Sequence, residues 1–115
     1  MAYQSTYSAT KSALIGLTAS LRYELWDENI RLSTVIPGTV ATPIWHGKIP
    51  ESAIAPEESA RSILKGLAAN ERIVIVTEDD RTGAINAFRP DTAQKVDDYL
   101  LNVARKRRSG DSTAV

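Results

Sequence analysis

Two short apolar runs on either side of an amphipathic stretch constrain this chain more than any other feature. Arg31-Leu32-Ser33-Thr34-Val35-Ile36 reads as a strand, and Pro37-Gly38 ends it. Ile73-Val74-Ile75-Val76 is continuously apolar and β-branched, the pattern of a strand buried on both faces. Between them Pro56-Glu57-Glu58 opens a helix, because proline tolerates the first helical position and acids suit the positive end of the dipole. Ala60, Ile63, Leu64, Leu67 and Ala68 then form one apolar stripe, and Asn70 ends the helix. A strand, a crossover helix and a second buried strand make a βαβ unit. The strands should therefore be parallel and the connection right-handed.

The flanks extend the alternation. Tyr7 to Glu28 reads as a long helix without proline, with Ser5 and Thr6 available as caps. Thr39 to Ala55 is turn-rich. A short helix is expected around Arg81 to Phe88, and Asp91 can cap a last helix whose apolar positions are Val96, Tyr99, Leu100 and Val103. The fold class is α/β, in the order helix, strand, helix, strand, helix. Parallel sheets are covered on both faces, and two strands make a poor core by themselves. The pattern thus predicts one end of a larger doubly wound parallel sheet. Residues 1–108 are expected to form part of one domain, with 109–115 a disordered tail.

Composition removes several functional classes. The 115 residues include 14 Lys+Arg, 14 Asp+Glu, one His and no Cys. Disulfides, thiolate metal sites and a cysteine nucleophile are excluded, and a multi-histidine metal site is too; no metal is expected. Zero net charge gives no global footprint for nucleic acid. No apolar run approaches the ~20 residues of a spanning helix, and the start lacks the pattern of a signal peptide. A cytoplasmic protein is expected. Arg105-Lys106-Arg107-Arg108 is assigned to helix-end electrostatics rather than to a membrane or nucleic acid.

The first helix carries the chemistry. Tyr7, Lys11, Leu14, Thr18, Leu21 and Leu25 share one broad face, and Ala9, Ala13, Gly16 and Ser20 form a small-residue stripe opposite. Both sides are expected to be packed, with the polar tips of Tyr7 and Lys11 close together one turn apart. A free tyrosine has a pKa near ~10, and a neighbouring ammonium favours the phenolate. The pair therefore suits proton transfer to or from a carbonyl or alcohol oxygen. Tyrosine and lysine at this spacing also recur on many helices as packing beside an exposed ammonium, and spacing alone favours that plainer reading.

The surrounding residues carry more information. Tyr7-Ser8-Ala9-Thr10-Lys11-Ser12-Ala13-Leu14, with Gly16-Leu17, Ser20-Leu21 and Glu24-Leu25 after it, closely resembles the active-site helix of the short-chain dehydrogenase/reductase family. Ile30 to Pro43, through Pro37-Gly38-Thr39-Val40-Ala41-Thr42, resembles the segment that follows it. The resemblance implies a Rossmann-like fold and reversible hydride transfer between NAD or NADP and a small-molecule alcohol or carbonyl. It implies Tyr7 as general acid/base and Lys11 as its activator and a contact of the nicotinamide ribose. Pro37 and Gly38 would shape the loop beside the nicotinamide. Val40 would meet the carboxamide through its backbone, and Thr42 the carboxamide or pyrophosphate. Residues 43–55 would cover the substrate, with Trp45, His46 and Ile49 available to line a pocket. Against this, Pro37-Gly38 also serves simply to end a strand, Trp45 to fill a core, and His46 reads better as an exposed loop residue.

Departures from the family pattern matter too. The family's glycine-rich phosphate loop and active-site serine precede the tyrosine, and here only six residues do. Ser5 is too close to Tyr7 to replace that serine, and no glycine-rich turn follows a strand anywhere. The N-terminal half of the sheet is thus expected to be absent, and the chain alone to show negligible NAD(P) binding and no turnover. The alternative is a non-catalytic remnant or self-association module. A homo-oligomer through the Tyr7–Glu28 helix is expected, as is an exposed edge on the first strand.

Overall fold

A computed structural model describes residues 4–111. Helix α1 (Ser5–Glu24) leads to strand β1 (Thr34–Ile36), a short 3-10 turn (Pro43–Trp45), helix α2 (Pro56–Ala68) and strand β2 (Ile73–Ile75). Helix α3 (Glu78–Asn86), a second 3-10 turn (Pro90–Thr92) and helix α4 (Ala93–Arg108) complete the order. The class is α/β. The βαβ expectation holds: β1 and β2 are parallel neighbours, with Thr34, Val35 and Ile36 beside Ile73, Val74 and Ile75. Among the described residues these two strands are the whole sheet, a partial Rossmann-like arrangement.

The helix between the strands shows how the unit closes. Pro56 occupies the first turn with Glu57 and Glu58, as their chemistry favours. Asn70 takes the left-handed conformation at φ 55°, and Glu71 and Asn70 N–H groups return to the Gly66 and Leu67 carbonyls in a Schellman ending. The face against the sheet is not the stripe read from periodicity. Ser59 and Gly66 are buried, Ser62 and Ile63 half-buried, while Ala60, Leu64, Leu67 and Ala68 are exposed. Gly66 explains the choice: a Cβ there would lie 2.6 Å from Val74 Cγ2 and 2.7 Å from Val74 Cγ1. The helix backbone thus rests directly on Val74, which is only 3% exposed. A leucine face would hold the helix further away.

Helix α1 packs beside β1, and Arg22 latches it there. Arg22, 4% exposed, donates to the Leu32 carbonyl and, through Nη2, to the Asn70 carbonyl and side-chain oxygen, both at 2.8 Å. The cation thus satisfies carbonyls at the end of α2 and just before β1. Helix α1 ends at Glu24 rather than Glu28, because the chain turns through Asn29 at φ 57°. Arg31 does not enter the strand; it stacks 3.7 Å above the Trp26 ring and donates to the Trp26 carbonyl. Ser5 and Thr6 lie inside the first turn, preceded by Gln4 as N-cap with no side-chain cap bond.

The last elements differ in their starts. Helix α3 begins at Glu78, three residues before the expected Arg81, because Thr77 Oγ1 accepts from the Asp80 N–H at 3.1 Å. Asp91 does not cap α4. Its carboxylate is held by Arg89 as a bidentate pair, and Thr92 occupies the cap position instead. Val103 is buried, whereas Tyr99, Leu100 and Leu101 are exposed. Gly110 and Asp111 N–H groups bond back to the Arg107 and Lys106 carbonyls, closing α4 with a second Schellman ending. Residues 109–111 of the expected tail carry that helix ending, and residues 112–115 lie outside the described residues.

Candidate functional site

The first turns of α1 present the Tyr7–Lys11 pair to solvent. Tyr7 is 56% exposed, and the Lys11 ammonium lies 5.3 Å from its ring centroid. This is a cation–π arrangement, within the ~6 Å at which an ammonium is attracted by an aromatic face. The one-turn spacing thus does bring the two side chains together, with the cation over the ring. The expectation that both faces of α1 are packed is not met. Leu14, Ile15, Leu17 and Tyr23 are exposed, and a Cβ at Gly16 would meet nothing within 4 Å. Arg22 alone in this helix is buried.

Pro37 and Gly38 follow β1 directly and are exposed. Gly38 has φ +68°, the left-handed region that glycine occupies freely. Beyond it the chain forms an isolated parallel bridge, Val40 beside Ile54, with Ala41 N–H on the Ile54 carbonyl and Ile54 N–H on the Thr39 carbonyl. That pattern turns Val40's own peptide groups the other way. Its carbonyl accepts the Trp45 indole N–H at 2.8 Å, and its N–H has no partner among the described residues. Thr42 is extended and half-buried, and its hydroxyl has no partner among the described residues either. A backbone donor and a hydroxyl left uncommitted on one loop suit a ligand with amide or phosphate groups. Trp45 is half-buried and braces Val40 through its indole N–H, while His46 and Ile49 are exposed.

Arg22 is fixed to Leu32, and α1 lies beside β1. No hydrogen bond or ion pair joins Tyr7 or Lys11 to 37–42 among the described residues.

Sequence reasoning passed over two residues here. Asp80 lies against Gly38, and Arg22 latches the site helix to the sheet. The first had a signal, since Thr77-x-x-Asp80 is a capping spacing. The second had none, because a lone arginine on a mixed helix face reads as solvated. Among the described residues no group of three His, Asp or Glu side chains is placed to hold a metal. No described helix is long and apolar enough to cross a membrane.

Residues 1–53 match the short chain dehydrogenase family. Dehydrogenase/reductase SDR family member 6 of Rattus norvegicus is 41% identical over 58 residues, 50% of this chain and 23% of that protein. The NADP-dependent 3-hydroxy acid dehydrogenase of Schizosaccharomyces pombe is 36% identical over 101 residues, covering 74% of this chain and 39% of its own length. The human (3R)-3-hydroxyacyl-CoA dehydrogenase is 39% identical over 51 residues, 44% of this chain and 19% of its own. No solved structure matches. The chain belongs to the short-chain dehydrogenase/reductase family of oxidoreductases. It spans between 19% and 39% of the length of these three relatives.

Proposed function

We propose that this chain carries the proton-transfer half of an NAD(P)-dependent carbonyl/alcohol oxidoreductase, with Tyr7 as general acid/base and Lys11 as its activator. The observation that carries the reading is the Lys11 ammonium over the exposed Tyr7 ring. When bound, NAD or NADP supplies or accepts the hydride. The Tyr7 hydroxyl gives its proton to the carbonyl oxygen in reduction and takes it from the alcohol in oxidation. Negative charge left on the Tyr7 oxygen would be stabilised by the Lys11 ammonium, which lies over the ring of the same residue. Pro37 and Gly38 would direct the loop, the Val40 backbone would hold the carboxamide, and the Thr42 hydroxyl would hold the carboxamide or pyrophosphate. NADP use and hydroxy-acid chemistry in the Schizosaccharomyces pombe relative support a small alcohol or carbonyl substrate. A cytoplasmic setting, without disulfides, belongs to the same reading.

The 115 residues contain no glycine-rich strand–helix turn. The pair is therefore proposed to work only where such a turn completes the cofactor site, and the chain alone to be inactive. The test joins genetics and kinetics. The reading frame upstream of the Met1 codon is sequenced, and protein including it is assayed for carbonyl-dependent oxidation of NADH and NADPH. Tyr7→Phe should lower turnover by about 10²–10⁴-fold while cofactor binding is kept. Undiminished turnover by Tyr7→Phe would overturn the reading.

A second reading is favoured by the uncovered face of α1. Leu14, Ile15 and Leu17 are exposed, and Gly16 leaves open space for a close neighbour. Self-association through α1 to form a homo-oligomer would cover them. Sedimentation equilibrium of the native chain and Gly16→Glu tests it: the variant should shift to smaller species, and an unshifted assembly rules this interface out.

A further inference from the structure

Two strand exits stand side by side in this fold. β1 and β2 run parallel with Ile36 beside Ile75, and Val76 N–H donates to the Ile36 carbonyl at 3.1 Å. Two residues beyond each member of that register pair stand Gly38 and Thr77. The chain after Gly38 becomes the Val40–Thr42 loop, and the chain after Thr77 becomes helix α3. Between the exits lies one side chain. A Cβ at Gly38 would fall 2.0 Å from Asp80 Oδ2 and 3.1 Å from Asp80 Cγ, so the carboxylate fills the volume a side chain would need.

Asp80 does not reach this place by drifting. Its Oδ2 accepts the Thr77 hydroxyl proton, and its N–H donates to Thr77 Oγ1 at 3.1 Å. Capping of α3 requires only the second of these bonds, and an Asp in a first turn is ordinarily free to face water. Here it is half-buried, turned off its own helix and against the backbone of the neighbouring strand's exit. The contact fixes Gly38 twice, since its φ of +68° and the filled volume both exclude a side chain.

We propose that Asp80, held by Thr77, is a positioning residue that sets the direction in which the chain leaves β1 and so places the Val40 N–H and the Thr42 hydroxyl. Its relevance to catalysis rests on the reading that this loop meets NAD(P). The carboxylate acts through the Gly38 backbone. Its influence runs into the Val40–Ile54 bridge and the Trp45 brace, which provide separate reporters.

The test is amide hydrogen exchange and indole NMR on the full chain. Asp80→Ala should raise exchange at Ala41 and Ile54 by about tenfold and move the Trp45 indole resonance, while Thr34 and Val76 keep their protection. Asp80→Asn, which retains an acceptor for the Thr77 hydroxyl, and Thr77→Ser should both behave like the native chain. Gly38→Ala should disturb the loop about tenfold less in the Asp80→Ala background than in the native one, because the clash is gone. Unchanged loop amides, parallel loss of loop and strand protection, or purely additive Gly38 and Asp80 effects would each overturn the proposal. NADH and NADPH titrations of the protein that includes the upstream frame are read separately. A loop that responds as expected without any cofactor binding supports the positioning role and removes the cofactor reading.

Discussion

Helices α1 and α2 flank the same two strands and carry similar sequence patterns, yet they meet the sheet differently. Each has a stripe of small residues and a stripe of large ones. In α2 the small stripe wins the sheet: Ser59, Ser62 and Gly66 face inward, and the Gly66 backbone sits on Val74. In α1 only the last turns are covered, with Thr18, Leu21 and Leu25 half-buried around the buried Arg22 guanidinium, and the hydrogen bonds come from that guanidinium. α2 is thus held by close-packed contact, which tolerates no added atom. α1 is held by charge-assisted hydrogen bonds at one end, leaving the other end, with Tyr7 and Lys11, open to solvent.

Several substitutions would break or sharpen that contrast. The largest effect is functional. Tyr7→Phe should remove about 3–5 kcal/mol of transition-state stabilisation in steady-state assays of the protein that includes the upstream frame, yet leave the thermal melt unmoved, because an exposed hydroxyl supports no packing. Arg22→Ala should lower stability by about 3 kcal/mol in urea titrations, as it strips donors from partly buried carbonyls of Leu32 and Asn70. A loss below about 1 kcal/mol would mean that α1 has another anchor. Gly66→Ala should destabilise by about 1–2 kcal/mol despite the gain in helix propensity, since the new methyl meets Val74. Leu64→Ser should change stability by less than about 0.5 kcal/mol. A larger penalty would mean that the outer stripe of α2 is covered in solution.

The smallest expected effect lies outside both helices. The Arg89 guanidinium holds the exposed Asp91 carboxyl below its ordinary range. A depressed carboxyl contributes stability above its unfolded pKa and loses it as pH falls through the folded value. Native and Asp91→Asn melting curves should differ slightly near neutral pH and converge below about pH 4, with high salt reducing the gap.

Much of this arrangement was legible in the residues. The β-branched run at Ile73–Val76, the proline-led start of α2 and the Asn70 stop all specify local geometry, and the parallel βαβ pairing follows from their order. The Tyr7–Lys11 contact was legible for the same reason, since four residues are one helical turn. What failed was the choice of face. Periodicity identifies stripes, but it does not say which stripe a sheet will take. That is decided by how closely two backbones approach, a property of Gly66 and Val74 together. Burial of α1 failed for a related reason: its two faces expect neighbours along their whole length, and the described residues cover chiefly the turns around Arg22. The Asp91 cap failed because Arg89, two residues away, competes for the same carboxylate.

The Arg22–Asn70 latch has a kinetic corollary. It joins residues 48 positions apart, and the β1–β2 register joins Thr34 to Ile73, 39 apart, so both closures enclose nearly the same length of chain. Loop closure grows costlier only with the logarithm of that length, so neither closure precedes the other on entropy alone. The turns of each helix and the arm from Arg22 to Leu32, ten residues away, are the local contacts and should form first. Strand pairing and the bond to Asn70 should then close together, late in folding. Weakening the latch should hasten unfolding and leave the folding rate nearly unchanged.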